Sequence, residues 1–214
     1  MRLYDFAFSS AAYRVRIALN VKGIPFERSV VSLVKDGGQQ HNPAYKALNP
    51  QALIPSLEDG GHFFTQSLAI IEYLEETHPE PALLPRDPAA RARVRAIAYA
   101  IACDIHPINN LRVRQYLASD LKADEAQTST WYAHWIHKGF GALEAMLAQS
   151  PETGRYCHGD RVTLADICLV PQMANAYRFK VPVDAFPTLV RIDRDLRALP
   201  AFKAASPEAM GDAT

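Results

Sequence analysis

The sequence lacks the charge and the long apolar runs that several classes of protein need. Its 23 basic residues are matched by 23 acidic residues, so there is no excess charge for a broad surface that binds nucleic acid or an anionic membrane. No apolar run approaches the roughly 18 residues of a membrane helix, and the N-terminus shows no secretory apolar segment. We therefore expect a cytoplasmic protein whose partners include neither nucleic acid nor a membrane.

Cysteine is scarce, and none of it has the spacing of a redox or metal motif. The three residues, Cys103, Cys157 and Cys168, include no C-x-x-C pair and suit free thiols in a reducing compartment. The G-x-G-x-x-G, P-loop, G-x-S-x-G and H-E-x-x-H motifs are absent, which argues against a dinucleotide enzyme, an NTPase, a serine hydrolase or a zincin. His134 and His137 have no further ligand at matching spacing, so we predict no metal site.

Strand and helix patterns alternate in the first eighty residues. Strand-like runs at residues 3–7 and 26–33 flank a helical segment, which makes a βαβ unit. A polar loop follows, then a hairpin around residues 59–61, and then a helix over residues 68–77 with Ser67 as its N-cap. The order β-α-β, β-β-α predicts an α/β domain of the thioredoxin-like type.

Strand patterns nearly vanish after a proline-rich stretch at residues 80–88. Three prolines in those nine residues suit a stiff linker better than the interior of a helix or strand. The 214 residues are enough for two domains. We place a thioredoxin-like domain at residues 1–80, a linker at residues 81–88 and an all-α domain at residues 89–214.

Helix signals in the second part are clear, although prolines interrupt two of them. Residues 124–149 carry an apolar stripe at helical spacing, and residues 163–166 have the form of a capping box. Pro107 and Pro171 are expected to kink or break the helices in which they lie. This part therefore predicts a bundle of helices with local breaks.

The turn after the first predicted strand carries the chemistry. A thioredoxin-like fold normally has its C-x-x-C there, but this chain has Ser9-Ser10-Ala11-Ala12. The N–H groups of a helix start and a serine hydroxyl can both bind an anion. Lowering a thiol pKa by roughly two units needs ~2.7 kcal/mol, and one hydrogen bond to a charged group supplies about 1.5 to 3 kcal/mol. A reactive thiol must therefore arrive on a ligand, unless the serines only cap the helix.

Several segments together closely resemble the zeta class of glutathione transferases, which includes the maleylacetoacetate and maleylpyruvate isomerases. The similarity runs from Leu3 to about Phe202, and its most specific part is the block S-S-x-x-x-R-V-R-I-A-L. The segments that carry it are residues 9–23, 47–51, 54–55, 66–67, 104–110 and 178–179. The resemblance implies a glutathione transferase fold, a glutathione-binding first domain, glutathione as the cofactor and a homodimer.

The resemblance also implies roles for individual residues. Ser9 would be the catalytic residue that hydrogen-bonds to the glutathione sulfur, and Arg178 would bind a substrate carboxylate. Ile54 would pair its backbone with the cysteinyl part of glutathione, before a cis-proline at Pro55. The residues implied to bind glutathione are Ser10, Ala11, Gln40, Gln51, Ile54, Gln66, Ser67, His106 and Asn110.

Two positions depart from the family pattern. Ala11 stands where the family often has a cysteine, and Phe8 stands where the isomerases usually have an arginine just before the serine pair. The loss of that cation weakens the match to a dianionic substrate, although Arg14 or Arg112 could replace it.

Three functions follow from this pattern. The first is a glutathione-dependent cis-trans isomerase that acts on a small dicarboxylate, maleylacetoacetate or maleylpyruvate, by reversible addition of a thiolate to the double bond. The second is a transferase that conjugates or dehalogenates small electrophiles, which the apolar Phe8 favours. The third is a non-enzymatic module that binds glutathione only for structure.

Overall fold

The chain folds into two units, and the last part of the chain returns to the first of them. The computed structural model describes residues 1–211. One unit contains residues 1–82 together with the chain from residue 198 onward, and the other is Leu83–Arg197. The sequence predicts one helical domain over residues 89–214. In the structure, residues 198–211 belong to the first unit instead, and residues 212–214 lie outside the described part.

A four-stranded mixed sheet forms the centre of the first unit. Its strands are β1 (Arg2–Asp5), β2 (Glu27–Val30), β3 (Ser56–Asp59) and β4 (His62–Thr65). The strand order is β2-β1-β3-β4, with β1 parallel to β2 and antiparallel to β3, and with β3 antiparallel to β4. This is the thioredoxin-like arrangement that the sequence predicts.

Helices make up most of the rest of the described chain. Within residues 1–211 the α-helices are α1 (Ser10–Val21), α2 (Pro43–Leu48), α3 (Ser67–Thr77), α4 (Pro88–Tyr99), α5 (His106–Ile108), α6 (Leu111–Ser119), α7 (Glu125–Ala148), α8 (Leu164–Arg178), α9 (Pro187–Arg197), α10 (Pro200–Ala205) and α11 (Pro207–Met210). A π-helix, Ala100–Ile105, joins α4 to α5. No helix in this part of the chain has the length and apolar character needed to cross a membrane.

Glycines end the elements of the first unit where the sequence predicts turns. Gly23 follows α1 with a φ of +65°, and the N–H of Ile24 donates back to Leu19 O. Gly60 and Gly61 both have a positive φ and close the hairpin between β3 and β4. The predicted βαβ unit and the hairpin are therefore both present.

The sequence analysis misses one helix of the first unit and misplaces one N-cap. Residues 43–48 have no predicted element but form α2, because Asn42 accepts a hydrogen bond from the N–H of Ala44 and Pro43 opens the helix. Ser67 is not the N-cap of α3. Gln66 occupies that position without a side-chain cap, and Ser67 is the first residue of the helix.

Helix α10 packs on α1 within the first unit. Phe202 and Ala205 are fully buried. Arg16 Nε donates to Ala205 O at 2.9 Å, and Asn20 Nδ2 donates to Ala201 O at 3.1 Å. These polar contacts join residues more than 180 positions apart, so no local pattern in the sequence could reveal them.

Prolines disturb the second unit less than the sequence predicts. Pro171 lies inside α8, whose first ten residues are all buried, and the helix continues through it. Pro107 is the second residue of α5, which follows the π-helix directly, and the N–H of His106 donates to Ile101 O. Packing on neighbouring helices, rather than local propensity, decides these continuations. The capping box at residues 163–166 is present.

Candidate active site

Ser9 lies at the junction between β1 and α1, as the N-cap of the helix. Its Oγ accepts a hydrogen bond from the N–H of Ala12 at 3.2 Å, and its side chain is almost completely buried. A hydroxyl has one proton and two lone pairs, so this cap leaves the O–H of Ser9 able to donate. Capping the helix and donating to an anion are therefore compatible roles for Ser9.

The first turn of α1 adds further donors beside Ser9. Ser10 is the first residue of the helix and is 5% exposed, and Ala11 follows it. The first N–H groups of a helix have no intrahelical acceptor, and the helix dipole places partial positive charge there. This turn can stabilise a thiolate.

A buried ionic network secures the segment that leads to Ser9. The guanidinium of Arg16 donates to the Asp5 carboxylate at 2.5 Å and to Ala7 O at 2.9 Å. Arg28 donates to the second oxygen of Asp5 at 2.6 Å. Burial lowers the pKa of Arg16, and the charge of Asp5 opposes that change. Arg16 thus positions the backbone before Ser9, a role that the sequence pattern alone did not show.

Gln51, Gln66 and Ser67 come together at the start of α3. Gln66 Nε2 donates to Gln51 Oε1 at 2.8 Å, and Arg14 Nη1 donates to Ser67 Oγ at 3.3 Å. Gln66 has a φ of +68°, and α3 has no side-chain N-cap. Non-glycine residues rarely adopt this backbone conformation. The N-terminus of α3, which no side chain caps, is suited to bind an anionic group.

Ile54 and Gln40 both lie in the first unit, but in different environments. The Ile54–Pro55 peptide bond is cis, and Ile54 packs with Phe6, Val31 and Tyr45. Gln40 is 5% exposed, and its Oε1 has no hydrogen-bond partner among the described residues. A buried amide oxygen of this kind is costly unless a ligand or water donates to it.

His106 and Asn110 come together in the second unit. Asn110 Nδ2 lies 3.3 Å from His106 Nε2, which must accept that hydrogen bond, and Asn110 also caps α6. His106 follows the π-helix, which approaches α7 closely at Ile105 and Gly139. A Cβ at Gly139 would lie 2.3 Å from the Ile105 side chain, so only glycine permits this packing.

Arg178 ends α8 and lies beside an aromatic pair. Its guanidinium carbon is 5.6 Å from the ring centroid of Phe179, and the rings of Phe179 and Tyr132 are 4.3 Å apart. Arg114 of α6 approaches the same ring of Phe179 at 4.4 Å. Burial lowers the pKa of both arginines. The sequence alone gives Arg114 no role, because only the fold brings α6 to the end of α8.

The alternative arginines named from the sequence lie elsewhere. Arg14 is 2% exposed and donates to Ser67, and Arg112 is exposed on α6. The structure thus brings together Ser9, Ser10 and Ala11 in one group, Gln51, Gln66 and Ser67 in another, and His106 with Asn110 in a third.

The cysteines lie apart from these groups. Cys157 and Cys168 are buried, Cys103 is exposed, and burial raises the pKa of the Cys157 thiol. No three His, Cys, Asp or Glu side chains in residues 1–211 are grouped so that they could bind a metal ion.

A thioredoxin-like unit with a serine at its first helix, followed by an all-helical unit, defines the glutathione transferase fold. Residues 3–82 match the family model "Glutathione S-transferase, N-terminal domain", and residues 109–205 match "Glutathione S-transferase, C-terminal domain". The chain therefore belongs to the glutathione S-transferase family, within its zeta class. The fold class and the family resemblance expected from the sequence are confirmed.

Similar proteins span nearly the whole chain. A probable maleylacetoacetate isomerase of Vibrio cholerae is 52% identical over 99% of this chain and 97% of its own length. A holo structure of a bacterial zeta-class maleylpyruvate isomerase is 48% identical, with a TM-score of 0.97 and complete coverage of both chains. A maleylacetoacetate isomerase of Methylobacterium extorquens AM1, with bound malonate and glutathione, is 40% identical, with a TM-score of 0.94 over 98% and 97% of the two chains.

Proposed function

We propose that the chain is a glutathione-dependent cis-trans isomerase that converts maleylacetoacetate or maleylpyruvate to the fumaryl isomer. The observation that carries this proposal is Ser9, whose O–H remains able to donate while its oxygen caps α1. The two isomerase structures and the Vibrio cholerae relative support the reaction.

Glutathione is the cofactor, and three features of the first unit fit it. Ser9 can donate to its sulfur, the start of α3 can bind its γ-glutamyl carboxylate, and the buried Oε1 of Gln40 can accept from one of its N–H groups. Ser10, Ala11, Gln51, Ile54, Gln66 and Ser67 complete the proposed glutathione site. We assign His106 and Asn110 to the same ligand as proposals from the resemblance.

When bound, glutathione supplies a thiolate that adds reversibly to the substrate double bond, which then can rotate as a single bond. Ser9 stabilises the charged sulfur by hydrogen bonding, with the help of the first N–H groups of α1. Arg178 binds a substrate carboxylate and orients the double bond. The chain itself needs no reactive cysteine for this chemistry.

A second function, the conjugation or dehalogenation of small electrophiles, rests on Phe8. Its ring lies 5.9 Å from that of Phe6 and packs against an apolar cluster of the first unit. An aromatic ring immediately before Ser9 offers an apolar surface to a less polar substrate. We rank this function second, because the similar proteins described above are named as isomerases.

The experiment is an isomerisation assay with maleylacetoacetate, maleylpyruvate and 1-chloro-2,4-dinitrobenzene, each with glutathione. We expect isomerisation of at least one dicarboxylate and much slower conjugation of the neutral electrophile. Conjugation without any isomerisation would support the second function. Binding of glutathione without either reaction would support the third, a non-enzymatic module that binds glutathione for structure.

We also propose that the protein is a cytoplasmic homodimer with a glutathione-binding domain at residues 1–80, a linker at residues 81–88 and a helical substrate domain after it. Tyr99 at the end of the Ala-rich α4 is 40% exposed and could contact a second copy. Analytical ultracentrifugation should show twice the chain mass of 23.7 kDa, and a species of single mass would contradict the dimer.

A further inference from the structure

Two positively charged side chains of the second unit share one aromatic ring. The guanidinium carbons of Arg114 and Arg178 lie 4.4 Å and 5.6 Å from the centroid of the Phe179 ring. Arg114 also lies 5.9 Å from the ring centroid of Tyr132, which packs on Phe179. The first half of α6 and the end of α8 therefore bring two cations to the same small patch.

This arrangement places two like charges close together. Each charge repels the other, and the charge of Arg178 contributes to lowering the pKa of Arg114. Within residues 1–211, the described contacts of the Arg114 guanidinium are aromatic rings, and no acidic side chain is among them. A bound anion would relieve this repulsion.

The position of Arg114 over the ring is compatible with binding of an anion by its N–H groups. A guanidinium that lies over an aromatic face contacts the ring with its flat side, while its N–H groups point outward along its edge. Those N–H groups match the two oxygens of a carboxylate and bind it through two parallel hydrogen bonds. Arg112, two residues earlier on α6, is exposed and makes no described contact with Phe179.

We propose that Arg114 is a second carboxylate-binding residue, which together with Arg178 makes the site selective for dicarboxylates over monocarboxylates. This inference rests on the isomerase function proposed above. It supplies a second cation for a dianionic substrate, beside Arg178.

The first test compares the binding of malonate and of acetate to the glutathione-loaded protein by isothermal titration calorimetry. The variant is Arg114→Gln, and the matched control is Arg155→Gln, because Arg155 also lies over a ring, that of Tyr156, at 5.4 Å. We expect the wild type and the control to prefer malonate by roughly ten- to a hundred-fold. Arg114→Gln should lose this preference but keep its affinity for glutathione.

Two results would overturn the proposal: a wild type that binds both acids equally, or an Arg114→Gln variant that keeps the full preference. Arg114→Lys serves as a second variant if Arg114→Gln folds poorly. It keeps the charge but not the paired N–H groups, so we expect it to retain only part of the preference for malonate.

The second test is kinetic and separates this inference from the proposed function. With maleylpyruvate, Arg114→Gln should raise KM roughly ten- to a hundred-fold and leave kcat nearly unchanged, because the lost contact binds substrate and transition state alike. An unchanged KM in an active variant would refute the role of Arg114 and leave the isomerase function intact. A wild type that prefers malonate through Arg114 but isomerises neither dicarboxylate would refute the function and leave the dicarboxylate site.

Discussion

At the scale of the residue, a serine replaces the cysteine chemistry that its position in the fold would normally carry. Ser9 uses one lone pair of its oxygen to cap α1 and keeps its proton for a ligand. The same side chain therefore stabilises both the helix and the negative charge of a bound thiolate. This double role explains why a capping interpretation and a catalytic interpretation of Ser9 do not compete.

Replacing Ser9 should separate these two contributions. We expect Ser9→Ala to lower kcat/KM at pH 6.5 by roughly ten- to a hundred-fold, because the thiolate loses a charge-assisted hydrogen bond. The pKa of the bound thiol should rise towards the value of about 8.5 for a free thiol, so activity should recover at high pH.

The control for this variant is Ser206→Ala, which removes the N-cap of α11 by breaking the hydrogen bond from Ala209. A pH–rate profile of both variants checks the prediction. If the two profiles keep the wild-type shape and position, Ser9 is only a cap.

At the scale of the element, the packing of α8 against α9 places a carboxyl group where it is hard to ionise. Asp193 on α9 is 2% exposed and accepts a hydrogen bond from Tyr177 at 3.0 Å. Arg197 lies 3.9 Å from the same oxygen. Burial raises the pKa of Asp193 to about 6, although Arg197 opposes it. This contact therefore depends on pH.

The sign of that dependence follows from proton binding. Between about pH 4 and pH 6 the folded protein keeps a proton on Asp193 that the unfolded chain has lost, so stability falls as the pH rises through this range. We expect a loss of about 2 to 3 kcal/mol in the free energy of unfolding from this group, because one pKa unit corresponds to about 1.4 kcal/mol.

Urea unfolding at pH 4, 5, 6 and 7 measures this effect. Asp193→Asn should remove most of the slope and should be more stable than the wild type at pH 7. Asp184→Asn, at an exposed position, serves as the control and should keep the slope. If the free energy of unfolding of Asp193→Asn keeps the wild-type slope against pH, the pH dependence comes from other groups.

At the scale of the whole molecule, the chain closes its first unit with its last helices. Arg16 connects the segment before Ser9 to Ala205 O, and the fully buried Phe202 packs in the same region. The proposed glutathione unit therefore depends on residues that follow the whole helical unit in the sequence. Truncation of the C-terminal region should affect the first unit before the second.

Phe202→Ala tests this dependence. We expect it to cost about 3 to 5 kcal/mol, the usual cost when a buried phenylalanine is replaced by alanine. Hydrogen exchange should show faster exchange of the α1 amides, while the α8 amides change little. The control is Lys203→Ala, at an exposed position of the same helix. Equal loss of protection in α1 and α8 would show that both units unfold together.

Much of the fold could be predicted because its signals are local. The βαβ unit, the turn glycines and the apolar stripe of α7 each follow from spacing within one segment. The missed helix α2 had a local signal too, the pair Asn42-Pro43. The continuation of α8 through Pro171 had none, because it depends on how completely the helix is buried.

The sequence by itself determined the order of the elements, the serine at the first helix and the absence of a thiol there, because each is a matter of residue type and local spacing. Only the tertiary structure decided that Arg16 holds the segment before Ser9, that the chain from residue 198 joins the first unit, and that Arg114 lies with Arg178 on Phe179. These contacts join residues far apart in the chain, and the folding of the whole chain brings them together.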